Sequence, residues 1–462
     1  MIPHVTPAAD DNETVKPARY RLDAVKARAR ISDEQGVRRI RAALVGLAAA
    51  AAIATPAVAQ SPGPAPNNPG YRWAAGPMKN LVAHYGWPSR DTANLGRIAT
   101  RRELARGLAE LMIARGETPP GTLVRPADIA ANDPDATAIS WVSTTRLLGN
   151  PGTTFNPNGQ LSTRTTEVAI VRVFGLSAEV HALDTLHTAN GTRLGVPVAF
   201  GQEVLAAELG LRYNYSSAYD NLETRPAAPM PLANLAGMVN AAVTMPSWRL
   251  GSVTNFTSIV LPNMTAKQKT VVESALAEVG MPYVWGGTSP NPQTLFGARV
   301  AGGFDCSGLV WWSYKLSGAS AAQGLGRDLR GRTADAMAWE NPSEKLPLSK
   351  LKVGDLVFFG PSGPHSRRGS ISHVAISLGN GWIVQSTGSR GGVSVTHLVG
   401  YWDSAAAWAR RPAAMRVGTT VPVTPTAAPK TAPKPTSSTP APTTPSLVPG
   451  QSGAGTAPAP AP

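Results

Sequence analysis

Residues 302–316 read "GGFDCSGLVWWSYKL", and Cys306 in this stretch is the only cysteine among 462 residues. A single cysteine cannot close an intramolecular disulfide, and without a second thiol it is a poor structural zinc ligand. It is therefore a buried small hydrophobe or a nucleophile. A thiol attacks as thiolate, so its surroundings must favour negative charge. Two glycines precede it, Asp305 is a natural N-cap, and the apolar run behind it predicts a helix. That pattern puts the sulfur in the first helical turn, where free amides and the helix dipole favour an anion. The same amides suit the oxyanion of a tetrahedral intermediate.

A nucleophilic thiol needs a base, and the chain has seven histidines. His4 lies in the leader, His84, His181 and His187 lie in the amino-terminal half, His365 sits in a polar loop, and His397 follows a hairpin. Only His373 opens a regular strand, "HVAISL" (373–378). Alternation places His373, Ala375 and Ser377 on one face and Val374, Ile376 and Leu378 on the core face. The small-residue face can then look toward a helix terminus, or His373 is a solvated strand-start residue.

A base also needs an orienting partner. The hairpin "ISLGNGWIVQ" offers Gln385. If Gly379-Asn380-Gly381 is a three-residue loop, Gln385 falls opposite Ala375, diagonal to His373 on the same face. A two-residue loop turns Gln385 away, so the three-residue loop is the expectation.

The rest of the chain divides by composition. Residues 1–41 are mixed in charge without apolar periodicity. The segment "AALVGLAAAAAIATPAVA" (42–59) ends in an A-x-A site and predicts an export signal cleaved after Ala59, so 1–59 is leader. An uncleaved anchor is the alternative, but alanine adds little insertion energy and Pro56 interrupts the run. Residues 420–462 hold twelve prolines, no aromatic and no acid, so a Pro/Ala/Thr-rich disordered tail is expected over 412–462.

Between these ends, 71–245 predicts a mainly helical region. "IATRRELARGLAELM" (98–112) and "LSTRTTEVAIVRVFGL" (161–176) each open with Thr-Arg and continue with one apolar face. Thr100 and Thr163 are the expected N-caps, with Glu103 at capping-box spacing. "MPLANLAGMVNAAV" (230–243) is a third, degenerate copy. With "FNPNG" (155–159) ahead of the second copy, the pattern resembles the S-layer-homology repeat. That resemblance implies contacts from Thr100, Arg101, Thr163 and Arg164 to an anionic cell-wall polymer. The alternative is solvated helix starts in an ordinary helical domain. A connector is expected at 246–264, then a helix at 265–280 with apolar residues at 271, 272, 275, 276 and 279. Strands 354–360, 373–378 and 382–386 follow, giving an α+β order with an antiparallel sheet.

"MPYVWGGT" (281–288), "GGFDCSGLV" (302–310), "GDLVFFG" (354–360) and "HVAISLGNGWIVQ" (373–385), in this order, resemble the NlpC-type, papain-like cysteine peptidases of bacterial cell walls. The resemblance covers 265–411. It implies Cys306 as nucleophile, His373 as base and Gln385 in the third polar position, where histidine is commoner. It also implies Tyr283 against the cysteine, with Asp305 and Ser307 as substrate contacts.

The expected activity is hydrolysis of an amide bond in the peptidoglycan stem peptide, of the D-γ-glutamyl-diaminopimelate type, by a secreted, wall-associated enzyme using a thiolate. The alternatives are a wall-binding scaffold with an inactive peptidase domain, or an amidase or acyltransferase on the same fold. No metal or cofactor is implied. The net charge of +14 favours anionic partners. Wall polymer fits an exported chain and nucleic acid does not, and no stable membrane insertion is expected once the signal is cleaved.

Overall fold

The computed structural model describes residues 68–416; the segments expected as leader and export signal, and the proline-rich stretch from 420, lie outside them. The helical half contains α1 (Arg101–Ala114), α2 (Thr163–Val173), α3 (Phe200–Glu208) and α4 (Leu232–Val243), with further helices at Ala75–His84, Ala136–Thr144 and Ser177–Asp184. A capping box starts α1, where the Glu103 carboxylate accepts the Thr100 N–H at 2.8 Å. The expected cap of α2 is displaced by one residue. Ser162 holds the extended cap conformation and its hydroxyl accepts the Thr165 N–H at 3.2 Å, so Thr163 is the first helical residue.

The entrances to the three repeated helices close a ring. Ala99 N–H donates to Met230 C=O (2.9 Å), Met230 N–H to Leu161 C=O (2.9 Å), and Leu161 N–H to Ala99 C=O (3.1 Å). Each strand-like entry thus satisfies one neighbour's donor and the other's acceptor, which backbone polar groups in a buried position require. Pro231 precedes α4, where a missing N–H leaves no ladder bond unmade.

One hydrophobic cluster runs from Met78 through Phe200 and Phe256 to Val395, so the helical half and the sheet share a core. The segment expected as a connector is itself folded. It holds a helix at Ser247–Gly251 and a 3-10 turn at Thr254–Ser258, and Phe256 packs its ring on Trp382 at 4.7 Å.

Beyond it, α5 (Ala266–Leu276) presents buried Val271, Val272, Ala275 and Leu276, the predicted stripe. Next comes α6 (Cys306–Trp311), continued by a π-turn at Trp312–Leu316. The sheet has six strands: β1 (Lys345–Leu346), β2 (Leu356–Phe359), β3 (His373–Gly379), β4 (Trp382–Thr387), β5 (Gly392–His397) and β6 (Ala406–Arg410). Their order is β1-β6-β2-β3-β4-β5, antiparallel throughout. The α+β expectation holds, and β2, β3 and β4 are the three strands read from the sequence. Of the residues expected in the tail, Ala413–Met415 forms a 3-10 turn and Met415 is buried.

Both faces of the sheet are covered. Val374, Ile376 and Leu378 of β3 join the large cluster with Leu309 and Val310 of α6. On the other face Ala375 packs with Val357, Phe359 and Ile383. The helix therefore lies over the Val374 side rather than the small-residue side expected to face it.

The β3–β4 hairpin also corrects the expected loop. Gly379 pairs with Trp382, leaving a two-residue loop of Asn380 and Gly381 at φ 50° and 80°. A bulge between Ser377 and Gly379 then shifts the register, so that Ile376 pairs with Val384. Continued by one residue, this register brings Gln385 opposite Ala375, the pairing expected from a different loop.

Candidate active site

Cys306 occupies the first position of α6, with Asp305 as N-cap accepting the Gly308 N–H at 2.5 Å. Glycine at 308 is obligatory, since a Cβ there would fall 1.8 Å from the Gly287 carbonyl oxygen. Gly303, at φ 148°, lets the chain pass close under Pro282. Cys306 is 8% exposed, and the backbone N–H groups of Val374 and Ser307 act on its thiol so as to favour negative charge. The sulfur thus reaches the backbone of β3 at Val374, the residue that follows His373.

His373 carries its orienting partner. Its Nε2 lies 2.7 Å from Gln385 Oε1, and the Gln385 amide nitrogen donates to Thr396 Oγ at 2.9 Å. The ring also packs against Phe359 and Trp402, with centroids at 5.4 Å and 5.3 Å. Gln385 is fully buried, so every polar atom it carries needs a partner.

Burial controls the charge of this pair. Loss of solvent, reinforced by the Asp305 charge, pushes the Cys306 thiol up to about 12, against the pull of the Val374 and Ser307 amides and Arg332. Loss of solvent also brings the His373 imidazole down to about 4, against the Gln385 hydrogen bond and Asp305. Both directions favour thiol and neutral imidazole in the resting site, rather than the thiolate expected from the helix dipole.

Asp305 and Ser307, expected as substrate contacts, are hydrogen-bonded within the scaffold. The Asp305 carboxylate accepts the Gly286 N–H (3.0 Å), the Ser307 hydroxyl (3.0 Å) and both terminal nitrogens of Arg332 (3.0 Å each). Arg332 Nη1 also donates to Ser307 Oγ at 2.7 Å and Nη2 to the Gly286 carbonyl at 2.9 Å. Sequence reasoning missed Arg332, which sits in an irregular stretch with no pattern to mark it. Tyr283 pairs in a parallel bridge with Phe304, and burial followed by the Cys306 and Asp305 charges pushes its phenol up, placing it in the thiol's surroundings.

The amino-terminal candidates stand elsewhere. Arg101 Nε donates to the Phe155 carbonyl at 2.7 Å and its guanidinium lies 4.7 Å over the Phe155 ring. Arg164 is paired with buried Glu203 at 2.6 Å. Thr100 belongs to the capping box and Thr163 is buried. Among the described residues no group of His, Cys, Asp and Glu is arranged to hold a metal ion, and no helix is long and apolar enough to cross a membrane.

A thiol on a helix start beside an imidazole held by an amide defines the site's class, and the family comparison agrees with it. Residues 280–411 match the NlpC/P60 family, and this part of the chain is an NlpC/P60 domain. The match begins at Gly280, after α5, rather than at 265. The chain is 35% identical over 144 residues to the murein DD-endopeptidase MepH of Escherichia coli, covering 31% of this chain and 45% of that protein. It is 33% identical over 141 residues to the peptidoglycan endopeptidase RipB of Mycobacterium tuberculosis, covering 29% of this chain and 51% of that protein. The chain thus spans about half the length of these curated relatives. The crystal structure of the NlpC/p60 domain of the peptidoglycan hydrolase SagA is 29% identical, covering 31% of this chain and 97% of that one, with a TM-score of 0.23.

Proposed function

We propose that the protein is an exported cysteine endopeptidase that hydrolyses an amide bond in the peptidoglycan stem peptide, of the D-γ-glutamyl-diaminopimelate type. The observation that carries this reading is the His373–Gln385 hydrogen bond, with the backbone of the next residue, Val374, at the buried thiol of Cys306. A glutamine carbonyl can only accept, so Nε2 bears the proton and Nδ1 is left as the basic nitrogen.

In the neutral resting pair, His373 takes the thiol proton as sulfur attacks the carbonyl carbon. Amides in the first turn of α6 stabilise the oxyanion. The imidazolium returns its proton to the leaving amine, and a thioester remains on Cys306. Water, deprotonated by His373, then releases the new carboxylate and restores the thiol. The endopeptidase names of the domain's relatives support peptidoglycan as substrate. The helical half, where Arg101 makes no close ion pair among the described residues and feels the Asp128 carboxylate at longer range, is the wall-polymer-binding part of this reading.

The full-length protein incubated with purified muropeptides, followed by mass spectrometry of the products, tests the proposal. Release of fragments cut after γ-linked glutamate, abolished in Cys306→Ala, is the expected result. Intact muropeptides after prolonged incubation would end the peptidase reading.

A further inference from the structure

The hydrogen bonds that orient His373 do not stop within the NlpC/P60 domain. The Thr396 hydroxyl on β5 lies 2.8 Å from Glu208 Oε1, at the last residue of α3 in the helical half. Glu208 in turn lies 3.2 Å from Arg390 Nε. Glu208 and Thr396 stand 188 positions apart in the chain.

The direction of each bond follows from chemistry. The Thr396 hydroxyl donates its hydrogen to Glu208 Oε1. Its oxygen is then left to accept, which requires the Gln385 amide nitrogen to face it. The Gln385 oxygen must therefore face His373, and His373 must carry its hydrogen on Nε2. Reversing any one bond along this line would set two donors or two acceptors against each other in a buried site, a costly arrangement. Burial pushes the Glu208 carboxyl up, and Arg390 and Thr396 pull it back toward the ionised form.

We propose that Glu208 is a positioning residue for the peptidase site. Its carboxylate fixes the orientation of Thr396 and Gln385 and so the tautomer of His373. This rests on the assignment of His373 as base under the proposed function. It makes the helical half part of the hydrolytic apparatus, with the orienting charge supplied from outside the matched domain.

The test compares full-length wild type with Glu208→Ala, Glu208→Gln, Thr396→Val and the double variant Glu208→Ala/Thr396→Val. Muropeptide release is measured together with nitrogen-15 NMR of the histidine rings, with His373 assigned by its loss in His373→Gln. Each disrupting single variant is expected to lower kcat about tenfold with KM unchanged. The double variant should be no slower than the slower single one, because both break the same line. Glu208→Gln should recover part of the rate, since its amide oxygen can accept the Thr396 hydroxyl. In the spectra, the Nε2–H form of His373 should dominate in wild type and give way to a mixture in Glu208→Ala and Thr396→Val.

Thr396→Val keeps the Glu208–Arg390 pair, so it decides the matter if Glu208→Ala does not fold. Wild-type kcat with an unchanged His373 tautomer in Thr396→Val overturns the proposal, as does full multiplication of the two losses in the double variant. A wild-type protein that cleaves no muropeptide, yet shows the tautomer change in the variants, removes the proposed function and keeps the positioning role of Glu208.

Discussion

Arg332 sets its two terminal guanidinium nitrogens 3.0 Å from the two carboxylate oxygens of Asp305, one on each. This fork clamps the N-cap of the helix that carries Cys306, and the same guanidinium ties Ser307 and the Gly286 carbonyl into one cluster. Arg332→Ala leaves the buried Asp305 charge without its partner. A loss of about 2 kcal/mol is expected in urea unfolding, with slower turnover as the helix start loosens. Arg332→Lys should recover little, because a single ammonium cannot reproduce a two-point contact. An unchanged unfolding midpoint in Arg332→Ala would show that the clamp is dispensable.

Gln385 provides the second prediction. Gln385→Ala removes the acceptor on His373 Nε2, and the expected cost is one to two orders of magnitude, roughly, in the rate of thioester formation. The loss should be smaller than in His373→Ala, where the base itself is gone. Gln385→His can accept the same hydrogen and should retain most of the rate. Single-turnover measurement of the acyl-enzyme in these variants gives the comparison, and wild-type speed in Gln385→Ala would reduce the site to a dyad.

The pH profile distinguishes a neutral resting pair from an ion pair. With His373 held down at about 4, its imidazole is lost as a base only when pH falls through that value. With Cys306 pushed up to about 12, the thiol keeps its proton through the alkaline range. The expected kcat/KM is flat from about pH 5 to about pH 9. A steep alkaline decline near pH 8 would point to a preformed thiolate–imidazolium pair. Stability follows the same group: His373 has a folded value below its unfolded one, so its contribution is complete above about pH 6.5 and is lost as pH falls toward about 4. Urea midpoints across that window should fall more steeply in wild type than in His373→Gln.

The two arginines of the helical half should behave differently. Arg164 is the ion-pair partner of Glu203, whose side chain is completely buried, so Arg164→Ala should destabilise the fold by about 2 kcal/mol. Arg101 interacts with Asp128 only at longer range and otherwise holds the Phe155 carbonyl and ring, so Arg101→Ala should lower the unfolding midpoint less than Arg164→Ala. If the helical half holds an anionic wall polymer, Arg101→Ala should weaken the salt-sensitive co-sedimentation of the full-length protein with cell-wall sacs. Equal pelleting of wild type and Arg101→Ala at every salt concentration would exclude Arg101 from wall binding.

Some of these features were legible in the residues alone. The glycines, the Asp305 cap and the apolar run behind Cys306 specify a helix start locally, because caps and periodicity act within a few residues. The alternation after His373 and the Asn-Gly turn specify a strand and a hairpin for the same reason. Gln385 was reached through the wrong loop: a two-residue turn and a bulge together give the face that a three-residue loop was expected to give, and a short window does not distinguish them.

Other features depended on tertiary packing. Asp305 and Ser307 were read as substrate contacts, yet a guanidinium 27 and 25 residues away claims them. The charge of the Cys306–His373 pair was read from the helix dipole, but the dipole acts in competition with desolvation, and burial depth is fixed only when the sheet and α6 close around the sulfur. The line from His373 to Glu208 has no trace in the sequence, since its last bond joins residues 188 positions apart. Cap and turn residues write their preferences into the local backbone. The partners of buried polar groups are whichever side chains the packed core brings within reach, and that is settled by the whole fold.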